Sequence, residues 1–179
     1  LESRLLAEAM NVVADGVIYQ VHSTGEISSP PKDLSTPFAA VCFFNEDKAM
    51  RISGYGLDYE SLKESVDKLV PSQNAPLVIV ARGMFQQVHT RSVPAQEKPY
   101  PPLAEVTKNQ PEFHAENISG TLLGFRLPPF VKGINVTGYH LHFISDDGTF
   151  GGHVLGFTMG DNPVLVQVQN EIAMKLPVD

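Results

Sequence analysis

Three histidines, His140, His142 and His153, stand at a spacing that suits a metal site. The segment 138–145 alternates polar and apolar residues, which is typical of a half-buried strand. His140 and His142 therefore project from one face, and the apolar residues between and around them project from the other. Three neutral imidazoles that converge form the ligand set of an open zinc site, which keeps a fourth position for water or substrate.

The residues after this strand predict how His153 joins the other two histidines. Asp147-Gly148 is the preferred dipeptide of a two-residue type I′ hairpin turn. Position 146 then pairs with 149, and His142 lies directly opposite His153, with Cβ atoms of the three histidines roughly 5–8 Å apart. Gly151-Gly152 favours a close backbone approach or a bulge at this point. The alternative is three ordinary strand histidines that face solvent or form hydrogen bonds in the core.

Length and composition limit the class of protein. The chain has 179 residues, of which 42% are hydrophobic, enough for one sizeable core. We expect a single domain over 1–179, with sub-lobes at about 1–92 and 93–179 as an alternative. The net charge is −7 and the basic residues are scattered, so no nucleic-acid partner is expected.

Other features bear on the compartment. No apolar run reaches the roughly 20 residues of a membrane span, so no membrane partner is expected. Cys42 is the single cysteine, which excludes an intrachain disulfide. The first residues do not resemble a signal peptide. We expect a cytoplasmic protein, and two glycosylation triplets, at Asn117 and Asn135, leave secretion open.

The fold class that we expect is α+β and predominantly β, with mixed or antiparallel sheets and few short helices. Asp15-Gly16 predicts a second hairpin, and Asp58 predicts the start of a short helix that Pro71 ends. Gly83 predicts a turn between two paired strands, and Pro128 ends another strand. The predicted strands are 10–14, 17–21, 37–44, 77–81, 85–91, 121–127, the histidine hairpin and a last pair from 164. An extended connector is expected at 94–102, followed by a turn of helix at 103–108.

Several of these segments, in their order along the chain, resemble those of the α-acetolactate decarboxylase family from about Met10 to Pro177. The matching motifs are Thr36-Pro-Phe-Ala39, Thr90-Arg-Ser-Val-Pro94, Pro99-Tyr-Pro101 followed by Glu105-Val106, Gly120-Thr-Leu-Leu-Gly-Phe-Arg126, Gly133-Ile-Asn-Val136, Gly138-Tyr-His-Leu-His-Phe-Ile144 and Gly151-Gly-His-Val-Leu155.

The resemblance implies a function and a set of site residues. It implies a carboxy-lyase that converts 2-acetolactate, a 2-hydroxy-3-oxo acid, to acetoin and CO2, with Zn2+ stabilising the enediolate. His140, His142 and His153 are similar to the family's zinc ligands, and Arg91 is similar to its active-site arginine. A homodimer is also implied, and it suits the need of sheet edges for cover.

The sequence departs from the family in its carboxylates. The family has an essential glutamate nine residues before a Tyr-Gln pair, where this chain has Met10 before Tyr19-Gln20. The nearest carboxylate is Glu8, to which we assign delivery of the proton to the enediolate. The family's C-terminal tail, which returns a second glutamate to the metal, has no counterpart before Asp179. Two interpretations stay open, a trimmed relative with altered chemistry or a shortened form of a fuller relative.

The remaining residues and functions have competing interpretations. Arg91 could hold the substrate carboxylate through a bidentate pair, or it could be a surface residue, and Glu8 could be a solvated charge. His22, His89 and His114 lack convergent spacing, which indicates structural or exposed residues. The alternative functions are another metalloenzyme, acting on a different β-keto acid or in hydration or non-haem iron chemistry, and a non-catalytic protein that binds a metal or small ligand.

Overall fold

Nine strands and one α-helix form the regular structure of the residues that the computed structural model describes, 10–31, 40–92 and 110–174. The predicted α+β class, predominantly β, is confirmed. The elements are β1 (Met10–Ala14), β2 (Val17–Val21), β3 (Ile27–Ser28), β4 (Met50–Ser53), α1 (Tyr59–Leu69), β5 (Leu77–Arg91), β6 (Glu112–Leu127), β7 (Gly138–Ser145), β8 (Gly151–Met159) and β9 (Pro163–Val168). The predictions at Glu8, 94–102 and 103–108 lie outside the described residues, and the division into sub-lobes stays a prediction.

The first three strands form a small antiparallel sheet in the order β1-β2-β3. Asp15 and Gly16 have φ angles of 50° and 79°, as a type I′ turn requires at both central positions. Ala14 therefore pairs with Val17, and Met10 with Val21. The predicted hairpin is confirmed with its strand bounds.

The other six strands form a sheet in the order β4-β9-β5-β6-β7-β8, and β8 also pairs with β5. The ladder β5-β6-β7-β8 therefore closes on itself. The predicted turn at Gly83 is wrong, because β5 runs through it as one strand of 15 residues. Gly83 has a φ of 132°, and a Cβ there would lie 2.3 Å from the Asn162 side-chain oxygen. The glycine thus serves a close side-chain contact within a continuous strand.

The inner face of the closed ladder carries the main hydrophobic core. The core includes fully buried Phe85 and Phe143, whose rings meet edge to face at 5.1 Å. Helix α1 adds Leu62 and Val66 to this core. Asp58 caps the helix by accepting a hydrogen bond from the Ser61 backbone at 2.8 Å, as predicted. Each fully buried apolar side chain of this core contributes about 1.5–3 kcal/mol to the stability of the fold.

A buried arginine joins α1 to the sheet. Arg126 on β6 is 2% exposed, and its Nη1 lies 2.6 Å from Asp67 Oδ1 on the helix. It also donates to the carbonyls of Val70 and Ser72 at 3.0 and 2.7 Å, just beyond the helix end. Tyr139 on β7 donates its hydroxyl to the same Asp67 oxygen at 2.7 Å.

The small sheet covers part of the outer face of the closed ladder. Val21 and Ile27 pack there against Leu123 and Ile144, with Tyr19 at the edge of the contact. His140 and His142 of β7 project to this same outer face. The residues that alternate with them, Leu141 and Phe143, lie in the core.

One predicted strand is wrong in its described part. Residues 40–44 of the expected strand 37–44 form no ladder, and Val41 and Phe43 are 70% and 98% exposed. An apolar run becomes a buried strand only when another strand accepts its backbone hydrogen bonds. Among the described residues, no strand pairs with this run. No described helix is both long and apolar enough to cross a membrane.

Candidate metal centre

The three predicted histidines lie together on the outer face of β7 and β8. His142 pairs directly with His153, Phe143 with Gly152, and Ile144 with Gly151. His140 precedes His142 by two residues and therefore projects to the same side. The predicted register is confirmed, and no bulge at Gly151-Gly152 moves His153 out of register with His142.

The turn between these strands differs from the predicted type I′ turn. Asp147 is not among the described residues with positive φ, whereas Gly148 has a φ of 68°. Gly148 N–H donates to the Ser145 carbonyl at 3.0 Å, and Ser145 N–H donates to the Phe150 carbonyl at 2.8 Å. The loop therefore has four residues, 146–149, instead of the two predicted. The strand register is as predicted, because the loop gains one residue on each side of the expected turn. Asp147 Oδ1 accepts from the Thr149 backbone and hydroxyl at 3.0 and 2.8 Å, which holds the loop.

The rings of the triad, His140, His142 and His153, are close enough to share one ion. Their centroids lie 4.8, 4.9 and 5.6 Å apart, and one nitrogen from each ring lies within 4.8 Å of the others. Zn–N bonds of about 2.0–2.1 Å require the ligand nitrogens to lie within roughly 4 Å of one another. Small rotations of the rings would bring the three nitrogens to that separation. His142 Nε2 is buried and has no hydrogen-bond partner within the described ranges. A buried nitrogen of this kind fits a metal ligand, because its lone pair otherwise stays unsatisfied.

The surroundings of the triad keep the imidazoles neutral. Burial, followed by the charges of His140 and His153, holds the pKa of His142 well below its usual range. Burial, followed by His140 and the Arg91 guanidinium, lowers the pKa of His153 to about 4. Burial and Arg91 also lower the pKa of His140. All three rings are therefore in the neutral form at neutral pH, which is the form that binds a metal.

Arg91 lies beside the triad, as its predicted role requires. It pairs with His153 across the β5–β8 ladder and with Glu112 across the β5–β6 ladder. In the described part of the chain, its guanidinium makes no ion pair. An unpaired guanidinium next to three ligands is suited to bind an anionic group of a ligand held there.

Gly152 allows β8 to lie this close to β5. Its φ is 145°, and a Cβ there would lie 2.7 Å from the Arg91 carbonyl oxygen and 3.0 Å from Thr90 Cβ. The Thr90 hydroxyl donates to the adjacent Gly151 carbonyl at 3.2 Å. The close backbone approach expected at this glycine pair is confirmed, and it brings Arg91 next to His153.

Two further histidines, for which no contact was predicted, also lie on this face. His89 and His114 pair directly across β5 and β6, and their rings stack at 4.0 Å. Glu112 lies 2.8 Å from His89 Nε2. His114 is exposed, as predicted, but the lack of convergent spacing did not predict that the rings of His89 and His114 meet. Their pairing requires two long strands whose register no local turn defines, so spacing alone could not find it.

The comparisons with known proteins agree with this geometry. The sequence model of the α-acetolactate decarboxylase family matches residues 7–179. The chain belongs to the α-acetolactate decarboxylase family. An α-acetolactate decarboxylase of Methylococcus capsulatus is 39% identical over 166 residues, which cover 93% of this chain. One of Methanosarcina mazei is 39% identical over 177 residues, which cover 99% of this chain.

A solved structure of the family has the same fold. The crystal structure of α-acetolactate decarboxylase from Bacillus subtilis strain 168 matches with a TM-score of 0.88 at 34% identity, over 95% of this chain and 72% of that one. This chain spans 64% of the Methylococcus relative and 59% of the Methanosarcina relative. The triad, Arg91 and the ladders that position them all lie within the matched residues.

Proposed function

We propose that the protein catalyses the zinc-dependent decarboxylation of 2-acetolactate to acetoin and CO2. The observation that carries this proposal is a triad of neutral imidazoles beside Arg91, whose guanidinium makes no ion pair with a described residue, in a chain of the α-acetolactate decarboxylase family. The three ligands leave room in the coordination sphere for substrate, as catalytic zinc sites do. His140, His142 and His153 are the proposed ligands.

The reaction determines what the site must provide. The bond between the carboxylate and C2 breaks, CO2 leaves, and the electron pair is delocalised onto the ketone oxygen as an enediolate. Bound zinc would supply a Lewis acid that stabilises this charge as it develops. The enediolate is then protonated at C2, which gives acetoin.

Arg91 is the proposed anion-binding residue of the reaction. Its position opposite His153 puts the guanidinium at the edge of the triad. A bidentate pair with the substrate carboxylate would orient the bond that breaks, and the same donors can contact the enediolate oxygens afterwards. The β5–β8 ladder and the close approach at Gly152 fix the Cα positions of Arg91 and His153. Substrate binding therefore has only the Arg91 side chain to order.

The covering sheet contributes to the reaction by limiting water. Val21, Ile27, Leu123 and Ile144 form an apolar contact directly beside His142. A site with low water content strengthens the interaction of each fixed charge with the developing enediolate. We therefore assign the small sheet the role of one wall of the substrate site.

Three further features stay predictions. Delivery of the proton by Glu8 rests on the sequence alone, because Glu8 lies outside the described residues. A homodimer is favoured by the position of β4 at an edge of the large sheet, where its outer backbone groups need cover. The cytoplasmic location rests on the sequence alone.

Metal removal and restoration test the proposal. The protein is dialysed against a chelator, supplied with 2-acetolactate, and assayed for CO2 and acetoin before and after addition of Zn2+. We expect activity to disappear on chelation and to return with zinc, and we expect His153→Ala to stay inactive with either treatment. His22→Ala, which removes a histidine from the β2–β3 turn, is the matched control. Full activity in metal-free protein, or in His153→Ala, would contradict the proposal.

A further inference from the structure

A second group of metal-binding side chains lies on the outer face, separate from the triad. His89, Glu112 and His114 each offer one ligand atom, and these atoms lie within 4.8 Å of one another. The two rings are nearly parallel, with 18° between their planes. We call these three residues the β5–β6 cluster.

The backbone holds the β5–β6 cluster in place. His89 and His114 are direct partners in an antiparallel ladder that pairs most of β5 with β6. Glu112 precedes His114 by two residues and lies on the same face, next to His89. Cross-strand partners have Cβ atoms about 4.5–5.5 Å apart, so the ladder itself brings the two imidazoles together. Binding an ion would require side-chain rotation only.

The β5–β6 cluster is distinct from the triad, although the two share a face. Arg91 separates them, because it pairs with Glu112 on one side and with His153 on the other. No residue belongs to both groups. Residues of one group can therefore be substituted while the ligands of the other stay in place.

Charge and space around the β5–β6 cluster suit a cation. Glu116 follows His114 by two residues on the same face, so Glu112 and Glu116 place two carboxylates near the Arg91 guanidinium in the described part of this face. On the other side, His89 pairs with Gly156 of β8, where a Cβ would meet nothing within 4 Å. A groove of about 290 Å³ opens there, lined by His89, His114, Glu116 and Gly156 among others.

We propose that His89, Glu112 and His114 form a second site for a divalent transition-metal ion. Two imidazoles and one carboxylate are a ligand set that zinc uses in proteins. Imidazole ligands favour zinc, copper or nickel over calcium or magnesium, which prefer oxygen. Glu112 and His114 are exposed, so the ion exchanges with solvent more readily than an ion at the partly buried triad.

Zinc stoichiometry tests this site in the whole protein. Metal-free protein is dialysed to equilibrium against Zn2+, and bound zinc is measured by mass spectrometry for wild type, His114→Ala, Glu112→Gln, His142→Ala and the control His22→Ala. We expect wild type and His22→Ala to bind two ions, and His114→Ala and His142→Ala to bind one each. Glu112→Gln keeps the shape of the side chain but loses its charge. We expect this variant to bind the second ion only at higher zinc concentrations than wild type requires.

The measurement does not depend on turnover, so its outcome is separate from that of the proposed decarboxylation. Circular dichroism and thermal unfolding check that each variant is folded. One ion in wild type would overturn the proposal. Two ions retained in both His114→Ala and Glu112→Gln would overturn it as well, because the second ion would then lie elsewhere.

Discussion

At the scale of single residues, the candidate metal centre places three imidazoles beside one guanidinium. The triad supplies three neutral donors, and Arg91 supplies a permanent positive charge at their edge. A bound cation and a guanidinium together favour an anionic ligand over a neutral one. In the proposed reaction, the substrate carboxylate would satisfy that preference, and its loss as neutral CO2 would remove its pairing with Arg91.

The planar guanidinium of Arg91 leads to a prediction at this scale. Arg91→Lys keeps the charge but loses the planar pair of donors, so we expect kcat/KM for 2-acetolactate to fall by about 100-fold. Zinc content should not change, because the triad is intact. Arg51→Lys, at an exposed arginine paired with Glu46, is the control and should retain activity. Unchanged kcat/KM in Arg91→Lys would remove Arg91 from the proposed mechanism.

At the scale of elements, the histidine hairpin belongs to two ladders. One edge of β8 pairs with β7 and completes the triad, and the other edge pairs with β5 and approaches Arg91. At Gly152 the strand β8 lies close to β5, because the missing side chain leaves room for the Arg91 carbonyl oxygen and the Thr90 side chain. The hairpin therefore determines both the arrangement of the triad and its distance from the guanidinium.

Substitution of Gly152 tests this coupling. Gly152→Ala would introduce a Cβ into the Arg91 carbonyl and a strained φ, so we expect a loss of about 1–3 kcal/mol in the free energy of unfolding. We also expect weaker zinc binding. Gly156→Ala, on the same strand, is the matched control for stability, because its Cβ would meet nothing within 4 Å. Urea unfolding and zinc titration measure both effects, and equal stability of the two variants would contradict this role of Gly152.

The parts of the fold that the sequence predicts are those with local signals. Alternation over 138–145 and the spacing to His153 predict the triad, although the turn has four loop residues instead of two. Gly83 was misleading because its partner Asn162 is far away in sequence. The convergence of His89 and His114 likewise depends on the β5–β6 register, which no short turn defines. Contacts between distant segments are what local patterns omit.

At the scale of the whole molecule, β5 holds the large sheet together and α1 is anchored to it through one ionic group. β5 pairs with β6, β8 and β9. Arg126 and Tyr139 both bind Asp67 of α1, and Tyr139 directly precedes His140. Burial raises the pKa of Asp67, but hydrogen bonds from Tyr139 and Arg126 and the Arg126 charge lower it more, so its pKa lies below the ordinary value of 3.8.

This anchor leads to a prediction on stability and pH. Asp67→Asn leaves Arg126 without its anionic partner, and we expect it to lower the free energy of unfolding by about 1–3 kcal/mol at pH 7. Because the folded-state pKa is lowered, the carboxylate stabilises the fold above about pH 4, and this contribution is lost as the pH falls through the folded pKa. The difference from wild type should therefore shrink in urea unfolding below pH 4. Exposed Asp161→Asn is the control, and a pH-independent difference would contradict the assignment.

The alternation of rings and core residues along β7 has a consequence for errors in folding. A slip of one residue in pairing would turn His140 and His142 inward and expose Leu141 and Phe143, which are fully buried in the native state. Such a mispaired hairpin would be too unstable to accumulate beside the correct form. Correctly paired molecules therefore carry all three imidazoles on one face before any metal binds, and only rotation of the rings is left to complete the site.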